Sequence, residues 1–378
     1  MAGPDLRPVV VLGATGSIGL QTLEVADRLG MPVVGLAAGR DSPSFFDLAT
    51  RYPDAALAVA AASNGVPDGV TVGVGGEAVA ALGEIPGSIV VNGIVGAAGL
   101  EPTLTALSAG NRVALANKES LVTGGSLVLD ALQTEGAELL PVDSEHSAVW
   151  QCLAGEDPAT VRRVVLTASG GPFRGLAAGD LAGVSVAEAL AHPTWDMGDR
   201  ITIDSATLMN KAFEVIEAHF LFGLDFDQID VVVHPQSFVH AFVEFVDGVV
   251  KAEVGPPDMR KPIQVALTHP DRAPSVPAAF EFMDLTFAAP DRLAFPALDL
   301  GYAAGRMGGN APAVLNAADE VAVSAFLDGS IPFTAITEVV ASSLDAVPHR
   351  ALQRLEDALD ADSDGRNAAA KAVADLSR

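Results

Sequence analysis

"PVVVLGATGSIG", residues 8–19, decides the fold of the N-terminal part of the chain. A β-branched run that reads as a strand ends in Gly13, and glycines at 13, 16 and 19 lead into a helix-forming stretch. Glycines spaced in this way let the backbone approach a diphosphate, which the N–H groups of the helix N-terminus then hold. One such pattern is weak evidence alone. Its weight comes from its neighbours in the chain, because "MPVVGLAA", "AALAVAA", "SIVVNGIVG", "RVALAN" and "AELLPVD" alternate with Ala/Leu-rich helical stretches up to about residue 143. That alternation predicts a parallel sheet covered by helices on both faces, with the glycine pattern in its first β–α turn.

The expected fold is therefore α/β, opening with a Rossmann-like parallel sheet over 1–143. At the end of the second strand a chain that binds NAD usually places an acid for the ribose 2′-hydroxyl, whereas this one has "AGRDS". Arg40 can pair with a 2′-phosphate, which points to NADP. Asp41 beside it complicates that reading unless its carboxylate faces solvent. Consecutive strands come next in "RRVVLTASGG", "IDVVVHPQSFVHAFVEFVDG" and "VVKAEVG", around the helical "SATLMNKAFEVIEAHFLFG". They predict a second, α+β domain over 144–270. A Pro-rich stretch from Pro256 to Pro296 reads as connecting chain, with the segment between domains placed at 271–296, and "AVLNAADEVAVSAFLDG" and "ALQRLEDALDA" carry the periodicity of a C-terminal helical domain over 297–378. "DADSDG", Asp360–Gly365, matches the opening of a calcium loop, but its twelfth position is Lys371, so a solvated acidic loop is expected.

Composition narrows the function classes. A net charge of −26, from 48 acids against 22 bases, argues against nucleic acid or an anionic membrane as partner. An anionic ligand would have to be met locally by a few bases, helix N-termini or a metal. The single cysteine, Cys152, excludes an internal disulfide and a Cys-rich zinc site. The first apolar run is too short for a signal h-region, and no stretch reaches the roughly 20 apolar residues of a membrane span. A soluble cytoplasmic protein is expected.

Four clusters carry chemistry. "ALANKES", 114–120, comes after a strand at the carboxyl edge where open α/β sheets bind ligands. "VDSEH", 142–146, ends the next strand, and period-two alternation would point Asp143 and Glu145 to one side. Burying an unpaired carboxylate is costly, so two acids there call for water or a cation, and hard oxygen ligands suit Mg²⁺ or Mn²⁺. On the helix of "SATLMNKAFEVIEAH", Asn210, Lys211 and Glu214 share a face, as do Asn210, Glu214 and Glu217, and spacing does not choose between the glutamates. "HPTWDMGDR", 192–200, sets a His and one of two tryptophans between elements, as a lid over substrate would.

Together these residues resemble the 1-deoxy-D-xylulose-5-phosphate reductoisomerase family of the methylerythritol phosphate route to isoprenoid precursors. Nine ordered blocks carry the resemblance across essentially the whole chain, among them "GATGSIG", "ALANKESLV", "VDSEHSAVWQCL", "HPTWDMG", "DSATLMNKAFEVIEAH" and "PDMRKPIQVALTHPDR". It implies NADPH-dependent and Mg²⁺- or Mn²⁺-dependent rearrangement and reduction of 1-deoxy-D-xylulose 5-phosphate to 2-C-methyl-D-erythritol 4-phosphate, by a homodimer. It places the cofactor on Thr15, Gly16, Ser17, Ile18, Gly39, Arg40, Asp41, Asn117, Glu119, Gly198 and Met259, with His240 near the nicotinamide. It assigns the metal to Asp143, Glu145 and Glu214, and so favours Glu214 over Glu217. Substrate contacts fall on Lys118, Ser144, Glu145, Ser169, His192, Ser205, Asn210, Lys211 and Glu214, with Trp195 and Met197 in the lid. Lys118, His192 and the three metal ligands form the implied catalytic set. Three positions depart from the usual family wording: Asp41 and Asp319 each replace a common Asn, and Ala212 a common Gly. The residues also admit two other readings, a semialdehyde dehydrogenase with Cys152 as nucleophile, and a non-enzymatic NADP sensor.

Overall fold

The computed structural model describes residues 7–62, 65, 69–195, 197–274 and 282–376. Asp196 of the expected lid and residues 275–281 of the expected connecting segment lie outside them. The chain divides into two compact units. One takes in the residues through Ser120, then Leu127–Ser147 and the segment that begins at Asp258. The other takes in Leu121–Ser126, Ala148–Pro257 and the described residues from 282 onward.

The first unit is built on seven parallel strands: β1 (Val9–Leu12), β2 (Val33–Arg40), β3 (Ala56–Ala61), β4 (Gly73–Val74), β5 (Ile89–Asn92), β6 (Arg112–Leu115) and β7 (Glu138–Pro141). Their order is β4-β3-β2-β1-β5-β6-β7. Between them run α1 (Ser17–Leu29), α2 (Pro43–Arg51), α3 (Gly76–Ala81), α4 (Leu100–Ser108) and α5 (Glu119–Ala131). The six strands read from the sequence are present, and the two-residue β4 at the sheet edge is too short to carry a hydrophobic period. Every residue of β1, β5 and β6 is buried, as a sheet covered on both faces requires. The strand order reverses at β1, whose neighbours are β2 and β5, so the loops leaving these carboxyl ends diverge and open a crevice. Gly13 bends the chain there at φ +85°, and a Cβ on Gly19 would lie 2.3 Å from the Gly13 carbonyl oxygen, which is why α1 can seat so closely on the turn.

β7 ends at Pro141 and α6 (Ser144–Cys152) starts at once, its first turn closed by the Ser147 N–H donating to the Asp143 carbonyl at 2.8 Å. Asp143 and Glu145 therefore flank a strand-to-helix turn, and the period-two argument for their shared direction does not apply. Glu145 sits instead in the first helical turn, where the helix dipole favours an acid.

The second unit carries β8 (Val161–Ala168), β9 (Ile229–Val233), β10 (Val239–Phe245) and β11 (Val250–Val254) in the order β11-β10-β8-β9. β10 runs antiparallel to both neighbours, while β8 and β9 are parallel. The helices α7 (Val186–Ala189), α8 (Asp199–Thr207) and α9 (Met209–Phe222) lie between β8 and β9 in the chain. A shared core joins Val164, Leu166, Phe213, Ile216, Ala241 and Val243 to the C-terminal helices.

The Pro-rich stretch contains a helix, α10 (Arg260–Thr268), which belongs to the first unit and packs on α1. Pro262 is tolerated in its first turn, where the backbone N–H lacks an intrahelical partner in any case. After it come α11 (Ala297–Met307), α12 (Ala311–Leu327), α13 (Ala335–Ala346) and α14 (Leu355–Leu376), which fall in the same compact unit as the mixed sheet. Asp360–Gly365, expected as a loop, lies inside α14. Gly365 serves close helix crossing there, since a Cβ on it would stand 2.9 Å from the Ala317 Cβ of α12.

Candidate active site

The nucleotide end of the first unit is set by α1. Its N-cap is Gly16, no side chain caps it, and its first turn holds no acid, so the N–H groups that every helix leaves without partners point out unscreened. Thr15, Gly16, Ser17 and Ile18 form this turn, with Gly16 and Ser17 exposed. Gly39 and Arg40 end the adjacent β2, both exposed. Asp41 does not face solvent: it is 1% exposed, withdrawn from the surface that Arg40 occupies.

At the ends of β5 and β6 the "ALANKES" turn is tied down by Asn117. Its amide donates to the carbonyls of Ile94 at 2.7 Å and Gly96 at 2.9 Å and to Glu119 at 3.0 Å, while its Oδ1 accepts from the Ser120 N–H at 3.0 Å. Glu119 Oε1 in turn accepts from the Gly96 N–H at 3.1 Å. Asn117 and Glu119 thus fix the loop at the carboxyl edge, where both were assigned to the cofactor. Lys118 lies just past β6 and Asp143 just past β7. Because those strands pair directly, the two side chains meet in an ion pair whose ammonium end is almost wholly buried. Ser144 Oγ donates to Glu145 at 2.7 Å beside it. Met259 is the N-cap of α10 in this unit.

The second unit supplies the remaining assigned residues. Ser169, just past β8, shares a 2.9 Å hydrogen bond with His192 Nε2. His192 Nδ1 accepts from the N–H groups of Thr194 at 3.2 Å and Trp195 at 3.0 Å, so the neutral ring carries its proton on Nε2 and donates to Ser169. Burial holds the His192 imidazolium below its ordinary value of 6.5. With the folded value lowered, the neutral ring's contribution to stability is complete above 6.5 and is lost as pH falls through the lower folded value. Protonation would turn Nδ1 into a donor facing two donors and undo the turn at the start of the lid. Substrate KM is accordingly expected to rise on acidification below about pH 6.5 in the wild type, and this rise should be absent in His192→Gln, whose KM is raised throughout; identical profiles would remove His192 from the lid.

Trp195 and Met197 are half-buried in the segment that leads to Gly198, the N-cap of α8, and Ser205 is half-buried on that helix. On α9, Glu214 is ion-paired with Lys211 and accepts from Asn210 Nδ2 at 2.6 Å, so the shared helical face read from the spacing is present. Glu217, one turn on, is equally buried at 1% exposed. His240 is buried, and its Nε2 lies 3.2 Å from the Gly255 carbonyl oxygen. Each of these carboxylates, Asp143 in the first unit and Glu214 in the second, is a hard, anionic donor of the kind Mg²⁺ and Mn²⁺ prefer. Cys152 is 9% exposed, and burial, with Glu253 near it, pushes its thiol up, the reverse of an activated nucleophile.

Sequence reasoning missed the setting of Arg200. Its guanidinium donates to Asn316 at 2.7 Å and to Glu320 at 3.0 Å on α12 and reaches Asp319 at 3.5 Å. No local pattern links residues so far apart in the chain.

Three family models match the chain: the 1-deoxy-D-xylulose 5-phosphate reductoisomerase model over residues 9–125, that enzyme's C-terminal domain over 139–222, and a further DXP reductoisomerase C-terminal domain over 254–368. A 1-deoxy-D-xylulose 5-phosphate reductoisomerase of Symbiobacterium thermophilum is 49% identical, across 92% of this chain and 93% of its own. One from Pelotomaculum thermopropionicum is 46% identical, across 98% and 100%. Among solved structures, the Zymomonas mobilis reductoisomerase in complex with NADPH superposes with a TM-score of 0.87 at 40% identity, over 97% of this chain and 99% of its own. A DOX-P reductoisomerase in complex with NADPH, fosmidomycin and magnesium gives 0.89 at 36% identity, over 98% of each.

Proposed function

The chain belongs to the 1-deoxy-D-xylulose 5-phosphate reductoisomerase family, and on that premise we propose which of its residues carry the reaction. It is an NADPH- and divalent-metal-dependent oxidoreductase that rearranges and reduces 1-deoxy-D-xylulose 5-phosphate to 2-C-methyl-D-erythritol 4-phosphate in the methylerythritol phosphate pathway. When bound, NADPH supplies the hydride and the divalent cation supplies Lewis acidity at the substrate's oxygens.

The protein's own part is binding, orientation and exclusion of water. Asp143, Glu145 and Glu214 would hold the cation. The observation that carries this assignment is that Asp143 and Glu214 are each already kept beside a buried ammonium, Lys118 and Lys211 respectively. Both lysines stand among carboxylates in a strongly acidic chain, which fits them to a dianionic phosphate or a developing oxyanion. Ser144, Ser169, Ser205 and Asn210 would orient the substrate's polar groups, with His192 Nε2–H as a donor, and Trp195 and Met197 would close over it. Thr15 to Ile18 at the uncapped α1 would take the diphosphate, with Gly39, Arg40 and Asp41 at the 2′-phosphate end and Asn117, Glu119, Gly198 and Met259 completing the cofactor's surroundings.

The finer division into a cofactor part, a catalytic part over 144–270 and a C-terminal helical part belongs to this proposal, as do the cytoplasmic location and the homodimer. No helix among the described residues is long and apolar enough to cross a membrane. Phe282 and Leu293, 96% and 92% exposed, support a surface covered by a second copy.

The direct test is NADPH oxidation with 1-deoxy-D-xylulose 5-phosphate, with and without Mg²⁺ or Mn²⁺. Turnover is expected only with both metal and sugar phosphate present. The cofactor assignment is tested in the same assay by Arg40→Ala, expected to raise the KM for NADPH roughly tenfold to a hundredfold, the loss of a charge-assisted bidentate contact, while leaving NADH near its wild-type value. Equal losses for both nucleotides would remove Arg40 from the 2′-phosphate.

A further inference from the structure

The root of the segment 192–200 is anchored in an unusual way. Arg200, in the first turn of α8, is bound by α12 through Asn316 and Glu320, and Asp204, one turn along its own helix, lies 3.6 Å from its Nε. Asn316 Nδ2 also donates to Glu320 at 3.1 Å, and Arg366 of α14 pairs with the far side of Glu320 and with Asp362. Into this cluster α12 adds one more acid, Asp319, fully buried. Among the described residues no hydrogen-bond partner reaches its Oδ1, while its Oδ2 lies 3.5 Å from the Arg200 guanidinium that Asp204 also meets, at 3.6 Å. Two buried carboxyls converging on one guanidinium that Glu320 already neutralises carry a negative charge too many unless they keep a proton.

The charges agree. The acids that meet the guanidinium from α8 and α12 are Asp204, Asp319 and Glu320, and the bases are Arg200 and, through Glu320, Arg366, which also serves Asp362. Burial pushes Glu320 up, but Arg200 and Arg366 together bring it below the ordinary carboxylate value. Glu320 is thus the charged partner of Arg200. Asp319 is the surplus acid: burial pushes it up to about 6, against the opposing pull of Arg200.

We propose that Asp319 and Asp204 hold one proton between them, and that this proton keeps Arg200 on Glu320 and Asn316, making Arg200 and Asp319 positioning residues for the lid and for Ser205 on α8. Ionised, Asp319 would compete with Glu320 for the guanidinium and draw it along α12. A raised carboxyl contributes stability that is complete below its unfolded value and is lost as pH rises through the folded one. The lid's root is therefore firmest on the acidic side of the range and loosens as the shared proton leaves. The link to substrate rests on the reading of 192–200 as the lid; the shared proton does not.

Asp319→Asn tests both parts, because it keeps the shape of the protonated acid and cannot ionise. Melting temperatures of variant and wild type should differ least near pH 4, at the unfolded carboxyl value, and separate toward pH 8, with the variant several degrees higher. The infrared band of a protonated carboxylic acid, present in the wild type near pH 5, should be missing from the variant. Asp204→Asn, which also leaves a single carboxylate, should flatten the pH dependence of stability in the same way. A variant that melts lower than the wild type at pH 8 would mean that Asp319 is an ordinary ionised partner of Arg200, and would overturn the shared proton. For the positioning role, substrate KM should rise severalfold between pH 6 and 8 in the wild type and stay flat in Asp319→Asn, with NADPH affinity unchanged in both. Superimposable KM profiles would overturn that role even if the melting data stand. Absence of turnover in the wild type would fault the assigned reaction instead, and would leave the melting and infrared results to decide the proton.

Discussion

Glu214→Gln is expected to cut turnover by roughly a thousandfold, with partial recovery at high Mg²⁺ or Mn²⁺, because a divalent cation supplies several kcal/mol of transition-state stabilisation and, on the ligand set proposed above, this substitution removes one of its anionic oxygens. The structure adds a complication that the sequence did not show. Glu214 is buried and neutralises the equally buried Lys211. Removing one partner of such a pair costs about 3–5 kcal/mol, so loss of activity could reflect loss of fold. The double variant Glu214→Gln with Lys211→Met separates the two, since it removes both charges. Its melting temperature should return most of the way to wild type while turnover stays low. Glu217→Gln is the necessary comparison, because spacing admits both glutamates and Glu217 is just as buried. If Glu217→Gln shows the defect that metal relieves and Glu214→Gln does not, the metal belongs one turn further along α9.

How much of the molecule is legible in its sequence depends on the range of the forces involved. The βαβ series and the "GATGSIG" turn were legible because strand period, helix composition and the conformational demand on Gly13 are local. The face shared by Lys211 and Glu214 was legible for the same reason, since helix geometry alone places residues three apart together. Local rules also misled. Alternation was carried past Pro141 to Asp143 and Glu145, although the chain had already turned into α6. Gly365 and four neighbouring polar residues read as a loop, yet the neighbouring helix α12 needs that glycine for close approach. The prolines around α10 read as a connector, although one of them occupies the first turn, where a helix accepts proline. The surroundings of Arg200 depend on residues more than a hundred positions away, and no window of sequence holds them.

Lys118→Met should also have a large effect, and the two functions of the ammonium can be told apart. Lys118 and Asp143 meet because they come directly after adjacent parallel strands, and their side chains are only 7% and 13% exposed. Without the ammonium the Asp143 carboxylate stays in a largely buried place with its counter-charge gone, so the variant should melt well below wild type in the presence of a chelator. A divalent cation can take over that charge. It binds the folded protein and so raises the melting temperature, and it should do so more in the variant, where no ammonium competes for Asp143. Turnover is the discriminating measurement. If Lys118 only neutralises Asp143, saturating Mg²⁺ should restore activity together with stability. If it also holds the substrate or a charge that develops on it, stability should recover and turnover should remain down by about a hundredfold or more. We expect the second result, because an ammonium so well buried at the carboxyl edge of the sheet, in the turn that Asn117 ties in place, stands where open α/β sheets hold their ligands. Full recovery of turnover with metal would reduce Lys118 to a counter-ion and remove it from the catalytic set.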